Sequence, residues 1–152
     1  MGPDHPQTAF SINSLGNVLR DQGKLDSACT LHKRALRIRE EVLGPDHPWT
    51  AASLHNLALL LHLRGELDAA RTLHERALTV LEDSMGLEHP LTAECLNDLI
   101  AVLFEQGDLD AVHSQHERAL AIREAQLGID HPATVRSRQN LAAVQAKLEE
   151  RP

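Results

Sequence analysis

The sequence contains no tyrosine, one tryptophan and two phenylalanines, so that aromatic residues make up only 2% of it. A core without large rings must be filled by Leu, Ala, Val and Ile. That suits helix-on-helix packing and argues against a sheet, where aromatic and β-branched residues are favoured. Cysteine is equally scarce. Cys29 and Cys95 do not occupy equivalent places in the chain. They form no disulfide framework, and a reduced, cytoplasmic protein is expected. No long apolar run occurs, so neither a secretory signal nor a membrane-spanning helix is expected. The chain begins Met-Gly, but Pro6 stands where myristoylation wants Ser or Thr. Positive charge is not in excess. The net charge of −7 and pI near 5.8 speak against nucleic acid and anionic membranes as partners. A Gly-rich phosphate loop, a nucleophile elbow and a His-Glu-x-x-His sequence are all missing. Neither enzymatic activity nor a cofactor is expected.

What the chain has is a repeat. Gly2-Pro3-Asp4-His5-Pro6 returns as Gly44-Pro45-Asp46-His47-Pro48, as Gly86-Leu87-Glu88-His89-Pro90 and as Gly128-Ile129-Asp130-His131-Pro132, each 42 residues after the last. A fixed period of this length marks a stacked helical array, which offers a long surface and not a deep pocket. Each repeat reads as two helices. In the second, Pro48 suits a first helical turn, and Ala51, Leu54, Leu57, Ala58 and Leu61 recur at three and four. Gly65 then stops the helix, as Gly23 and Gly107 do in the neighbouring repeats. A second stripe of Ala70, Leu73, His74, Ala77, Leu78, Leu81 and Met85 follows. Ala35, Ala77 and Ala119 fall on one repeat position, where only a methyl group fits between closely packed backbones. Repeats at 2–43, 44–85 and 86–127 and a single helix over 128–148 form one domain, 2–148. The repeats carry net charges of +1, −3 and −6 and the tail carries +1, so the acidic middle would favour a basic ligand.

Specific residues carry a family resemblance. Leu54-His55-Asn56-Leu57-Ala58, Gln22-Gly23-Lys24-Leu25-Asp26 and Arg34-Ala35-Leu36-Arg37-Ile38-Arg39-Glu40 resemble the 42-residue tetratricopeptide repeat of kinesin light chains. The resemblance implies an all-α, right-handed superhelical solenoid of helix-turn-helix repeats that acts as a non-enzymatic protein-interaction scaffold. Leucines at positions 19, 61 and 103 stand where tyrosine is common in such repeats.

The last helix departs from the others. Arg138 replaces the Ile12, Leu54 and Leu96 of the earlier repeats, and Gln145 replaces Leu19, Leu61 and Leu103. Leu141, Ala142 and Val144 are kept. The pattern is that of a capping helix, apolar inward and polar outward, and is expected to end the array. The first helix shows no such adaptation. Val18 matches Leu60, Val102 and Val144, and Phe10 lies on a neighbouring flank. Phe10 and Val18 are therefore the candidates for a dimer contact.

Two columns of polar residues lie opposite the core stripe of the first helices. One is Asn13, His55, Asn97 and Gln139; the other is Ser14, Asn56, Asp98 and Asn140. In kinesin light chain-like arrays such amides resemble rungs that hold a peptide backbone, since an amide both donates and accepts. The expected peptide-binding set on the concave side is Asn13, Asn17, Arg20, His55, Asn56, Leu59, Asn97, Asp98, Phe104 and Asn140. Asn13, Asn56 and Asn97 are expected to be well exposed there. Arg20 would suit an acidic ligand group, and Asp98 and Glu105 a basic one. Trp49 is expected to pack on the end of the preceding helix. Seven of the ten histidines recur at the repeat period, which points to structural duty. Only Cys29-x-x-His32 and His113-x-x-His116 are tightly spaced, and neither completes a zinc set. No metal site is expected.

Overall fold

The computed structural model describes residues 5–152. The Gly2-Pro3-Asp4 part of the first linker lies outside the described residues. Seven helices follow one another: α1 (Pro6–Asp21), α2 (Leu25–Leu43), α3 (Pro48–Leu63), α4 (Leu67–Met85), α5 (Pro90–Glu105), α6 (Leu109–Leu127) and α7 (Pro132–Glu149). No strand occurs among the described residues. The helix boundaries follow the repeat, and the fold is that of a helix-turn-helix solenoid. No helix is long and apolar enough to cross a membrane.

Local chemistry explains the boundaries. The linker histidines are helix caps. Nδ1 of His5, His47, His89 and His131 accepts from the backbone N–H two residues on, at 3.0 to 3.2 Å. This satisfies one of the free N–H groups of the first turn. The proline that follows fills a position whose N–H would have no intrahelical partner. At the other end of each pair, Gly44, Gly86 and Gly128 sit at φ of 80 to 89° and ψ of 162 to 167°. That region is open essentially to glycine alone. Thr50 then ties the linker down, its Oγ1 donating to Gly44 O at 2.8 Å.

The chain divides into two compact units, residues 1–99 and 100–152, with the division inside α5. In the first unit α2 packs on α1 and on α3, and α3 packs on α4. Ala9, Ile12, Ala35 and Ile38 form one buried cluster with Leu31 against it. Ala51, Leu54, Leu57, Ala58 and Leu61 are all buried, as their spacing requires. In the second unit α7 packs on α6. Val144 is buried and Arg138 and Gln145 are exposed, while Leu141 is half-buried and Ala142 exposed.

Repeat-equivalent positions differ where their surroundings differ. Val18 is 50% exposed, whereas Leu60, Val102 and Val144 are 0 to 4% exposed. Leu15 is 53% exposed, against 5% for Leu57. In α3 this flank is covered by α2. Along α1 the corresponding flank, with Phe10, is bare.

Candidate functional site

Residues spaced by one helical turn share a face. On α1 the stripe is Phe10, Asn13, Asn17 and Arg20, and on α3 it is Trp49, Asn56 and Leu59. The two helices meet along these stripes, for Asn56 Nδ2 donates to Asn13 Oδ1 at 3.0 Å. Phe10 and Trp49 are 65% and 54% exposed. With Pro6, Gln7, Thr8 and Ser11 they line a cleft of about 560 Å³. An aromatic cleft thus leads into a row of amides on one face of one compact unit.

The amides are not equivalent. Asn13 is half-buried, and its Oδ1 also lies 3.0 Å from Nδ1 of the buried His32. His32 has to be neutral there. Burial, reinforced by the charges of Arg20 and Arg39, lowers its pKa to about 4. Asn13 therefore has a structural partner beneath the surface, which its expected free exposure did not foresee. Asn56 is half-buried and Asn97 exposed. Asn17 is half-buried, and its Oδ1 is a buried acceptor with no hydrogen-bond partner. Arg20 lies beside it, paired with Asp21 at 3.2 Å.

His55 departs from the expected row. It is 1% exposed and lies beneath the surface, because its ring turns inward between α4 and α5. Its Nε2 is 3.6 Å from Asp98 Oδ2 and 3.7 Å from Glu94 Oε1. Burial lowers the His55 pKa against the opposing pull of these two carboxylates. Burial and Glu94 raise that of Asp98, against the pull of His55. Asp98 is thus engaged from below. In the second unit Asn140 is exposed, and Phe104 is 39% exposed with the Lys147 amine 5.6 Å from its ring centre.

Two features escape sequence reasoning. Trp49 is exposed and does not pack on the end of the preceding helix. Its backbone carbonyl accepts from Arg39 at 3.1 Å, and its ring meets His47 edge-on at 5.6 Å. The second feature is a buried group of His55, His74 and Cys95, whose ligand atoms lie within 4.8 Å of one another. No motif spacing signals it, since the three residues come from three helices. The usable signal was that His55 and Cys95 break the pattern of their repeat positions.

Comparison with known proteins agrees with this architecture. The family model described as tetratricopeptide repeat matches residues 7–83 and 55–125. A protein described as a kinesin light chain of Podosopora anserina, with nearly identical TPR-like repeats, is similar in structure with a TM-score of 0.84 and 24% identity, over 99% of this chain and 72% of that one. BtubC (BKLC) from P. vanneervenii gives a TM-score of 0.75 and 23% identity, over 96% of this chain and 59% of that one. At these identities the likeness is one of fold. No curated protein matches the chain.

Proposed function

Since the chain belongs to the tetratricopeptide repeat family, a family of protein-interaction scaffolds, we propose that the shared face of α1 and α3 binds an extended peptide segment of another protein. The observation that carries this reading is the continuity of the Phe10–Trp49 cleft with Asn17, Arg20 and Asn56. A cleft lined by two rings accepts an apolar side chain. The amides beside it offer donors and acceptors to a peptide backbone whatever its sequence. Asn17, half-buried on the same stripe, adds a further amide to this row. Asp98 and the exposed Asn97 extend the face onto α5.

The only tryptophan of the chain lies in this cleft, so its emission reports occupancy. Peptides selected from a random library should shift Trp49 fluorescence on titration. Phe10→Ala and Asn17→Ala should each weaken them by about 0.5–1.5 kcal/mol or more. Selected peptides that leave Trp49 emission unchanged and bind both variants as tightly as the parent would defeat the reading.

A second reading rests on the bare flank of α1. Phe10, Leu15 and Val18 are half or more exposed, whereas Leu57 and Leu60, which match Leu15 and Val18 on α3, are buried. A second copy of the chain could bury this flank through identical patches related by a two-fold axis. The oligomeric state in solution decides it.

A further inference from the structure

Beneath the peptide face, three side chains from three helices converge in the core of the first unit. His55 on α3, His74 on α4 and Cys95 on α5 are each no more than 1% exposed. Cys95 Sγ is 3.9 Å from His74 Nδ1, and the two imidazole rings are 5.3 Å apart. Nδ1 of His55 and Nε2 of His74 have no hydrogen-bond partner, and Nε2 of His55 has only the two carboxylates, at 3.6 and 3.7 Å. The thiol itself donates to His74 O at 3.6 Å, but buried polar atoms are nearly always paired, so the unpartnered ring nitrogens beside it call for an explanation.

The neighbouring repeats supply one by contrast. At the corresponding place 42 residues earlier stand Asn13, His32, Arg39 and Ser53. There His32 pairs with Asn13 at 3.0 Å, and the buried Arg39 donates to Ser53 Oγ at 2.8 Å. In the second unit Arg123 donates to Ser137 in the same way. Between them, the amide has become His55, the hydroxyl has become Cys95 and the guanidinium has become Leu81. Two hard oxygen partners are replaced by borderline and soft donors, and the one fixed cation is removed. All three changes favour a bound metal cation, and together they leave the histidine pair without its usual hydrogen bonds.

We propose that His55, His74 and Cys95 bind a zinc ion or a similar borderline-soft divalent cation. Three protein ligands leave a fourth position for water. Asp98 and Glu94, beside His55 Nε2, act as the carboxylates that orient a ligating imidazole, leaving its Nδ1 for the ion. The exposed Glu94 side chain marks the route of entry from solvent. Burial keeps His74 neutral, with its pKa lowered to about 3, and holds the Cys95 thiol up at about 12. A thiol binds such an ion as the thiolate, so Cys95 gives up its proton to solvent and affinity drops as the pH is lowered.

The test uses the reduced full chain with Zn²⁺ or Co²⁺ alone. The expected result is one ion per chain, with a thiolate-to-cobalt charge-transfer band and the visible bands of a tetrahedral Co²⁺ site. Cys95→Ser and His55→Asn install residues that equivalent positions already carry, so both should fold. Each should weaken binding about 100-fold or more, beyond the effect of losing an outer-shell partner. Cys29→Ser and His113→Asn should leave affinity unchanged. Absence of the thiolate band in the parent chain overturns the proposal, whatever the variants do. Parent-like affinity in both ligand variants, or an equal loss in His113→Asn, overturns it as well.

Discussion

At Gly16 the missing side chain is a structural requirement. A Cβ there would lie 2.7 Å from His32 Nε2 and 2.9 Å from Cδ2, and the ring is pinned in the core by Asn13. Alanine is favoured over glycine in a helix by about 1 kcal/mol, but overpacking a core costs about 1–3 kcal/mol. The clash wins. Gly16→Ala should lower the unfolding free energy by about 1 kcal/mol in urea. In a His32→Ala background the same change should raise it. A sign that does not reverse would show that the ring is not the obstacle. His32 also makes stability depend on pH. Its pKa falls from 6.5 to about 4 on folding, so the unfolded chain binds the proton more readily. Its contribution is complete above pH 6.5 and is lost as the pH falls towards 4, by about 1.4 kcal/mol per pH unit. Ring resonances followed by NMR should titrate near 4, and a midpoint near 6.5 would contradict the burial argument.

Each first helix is started by a histidine, and α3 and α7 are held by the helix before them. Replacing the cap in His47→Ala should cost about 1 kcal/mol, while His47→Ser should recover most of it, because a hydroxyl also accepts from the first turn. Thermal denaturation distinguishes the two. Between α2 and α3, the Arg39 guanidinium rests on Ser53 Oγ and Trp49 O, and its Nε already lacks a partner. Ser53→Ala should therefore cost about 1.5–3 kcal/mol, the range for hydrogen bonds to a charged group. The helices and turns were legible in the sequence because His-Pro and glycine punctuate every unit and small and branched apolar residues mark each inward face. The candidate site was only partly legible. Whether Asn13 or His55 reaches solvent depends on what lies under it, and linear spacing carries no record of that. Trp49 breaks the pattern of a position held elsewhere by Gln7, Leu91 and Ala133, but the pattern does not say that it lines a cleft with the exposed Phe10 of α1. The His55–His74–Cys95 group is brought together only by the packing of α3, α4 and α5.

For the whole molecule, the bare flank of α1 sets the choice between one chain and two. If two copies bury Phe10, Leu15 and Val18 against each other, a Phe10→Glu, Val18→Glu double change should convert dimers to monomers by light scattering while the melting curve stays cooperative. A parent chain that is already monomeric at high micromolar concentration would remove self-association as a function and leave the peptide-binding face untouched. The junctions between repeats have a separate consequence for how the chain reaches its folded state. Near-identical units can dock on the wrong neighbour, a characteristic failure of repeat proteins during folding. Here the linkers are spelled alike, but successive seams are not: Leu81 and Cys95 stand between the Arg39–Ser53 and Arg123–Ser137 pairs. If α2 skipped α3 and settled on α5, Arg39 would face Cys95 instead of Ser53 and be buried without its hydroxyl. If Leu81 of α4 lay against Ser53, that hydroxyl would lose its donor. The middle seam thus works as a password against a slip by one unit, and an array slipped in that way is rejected before it can harden.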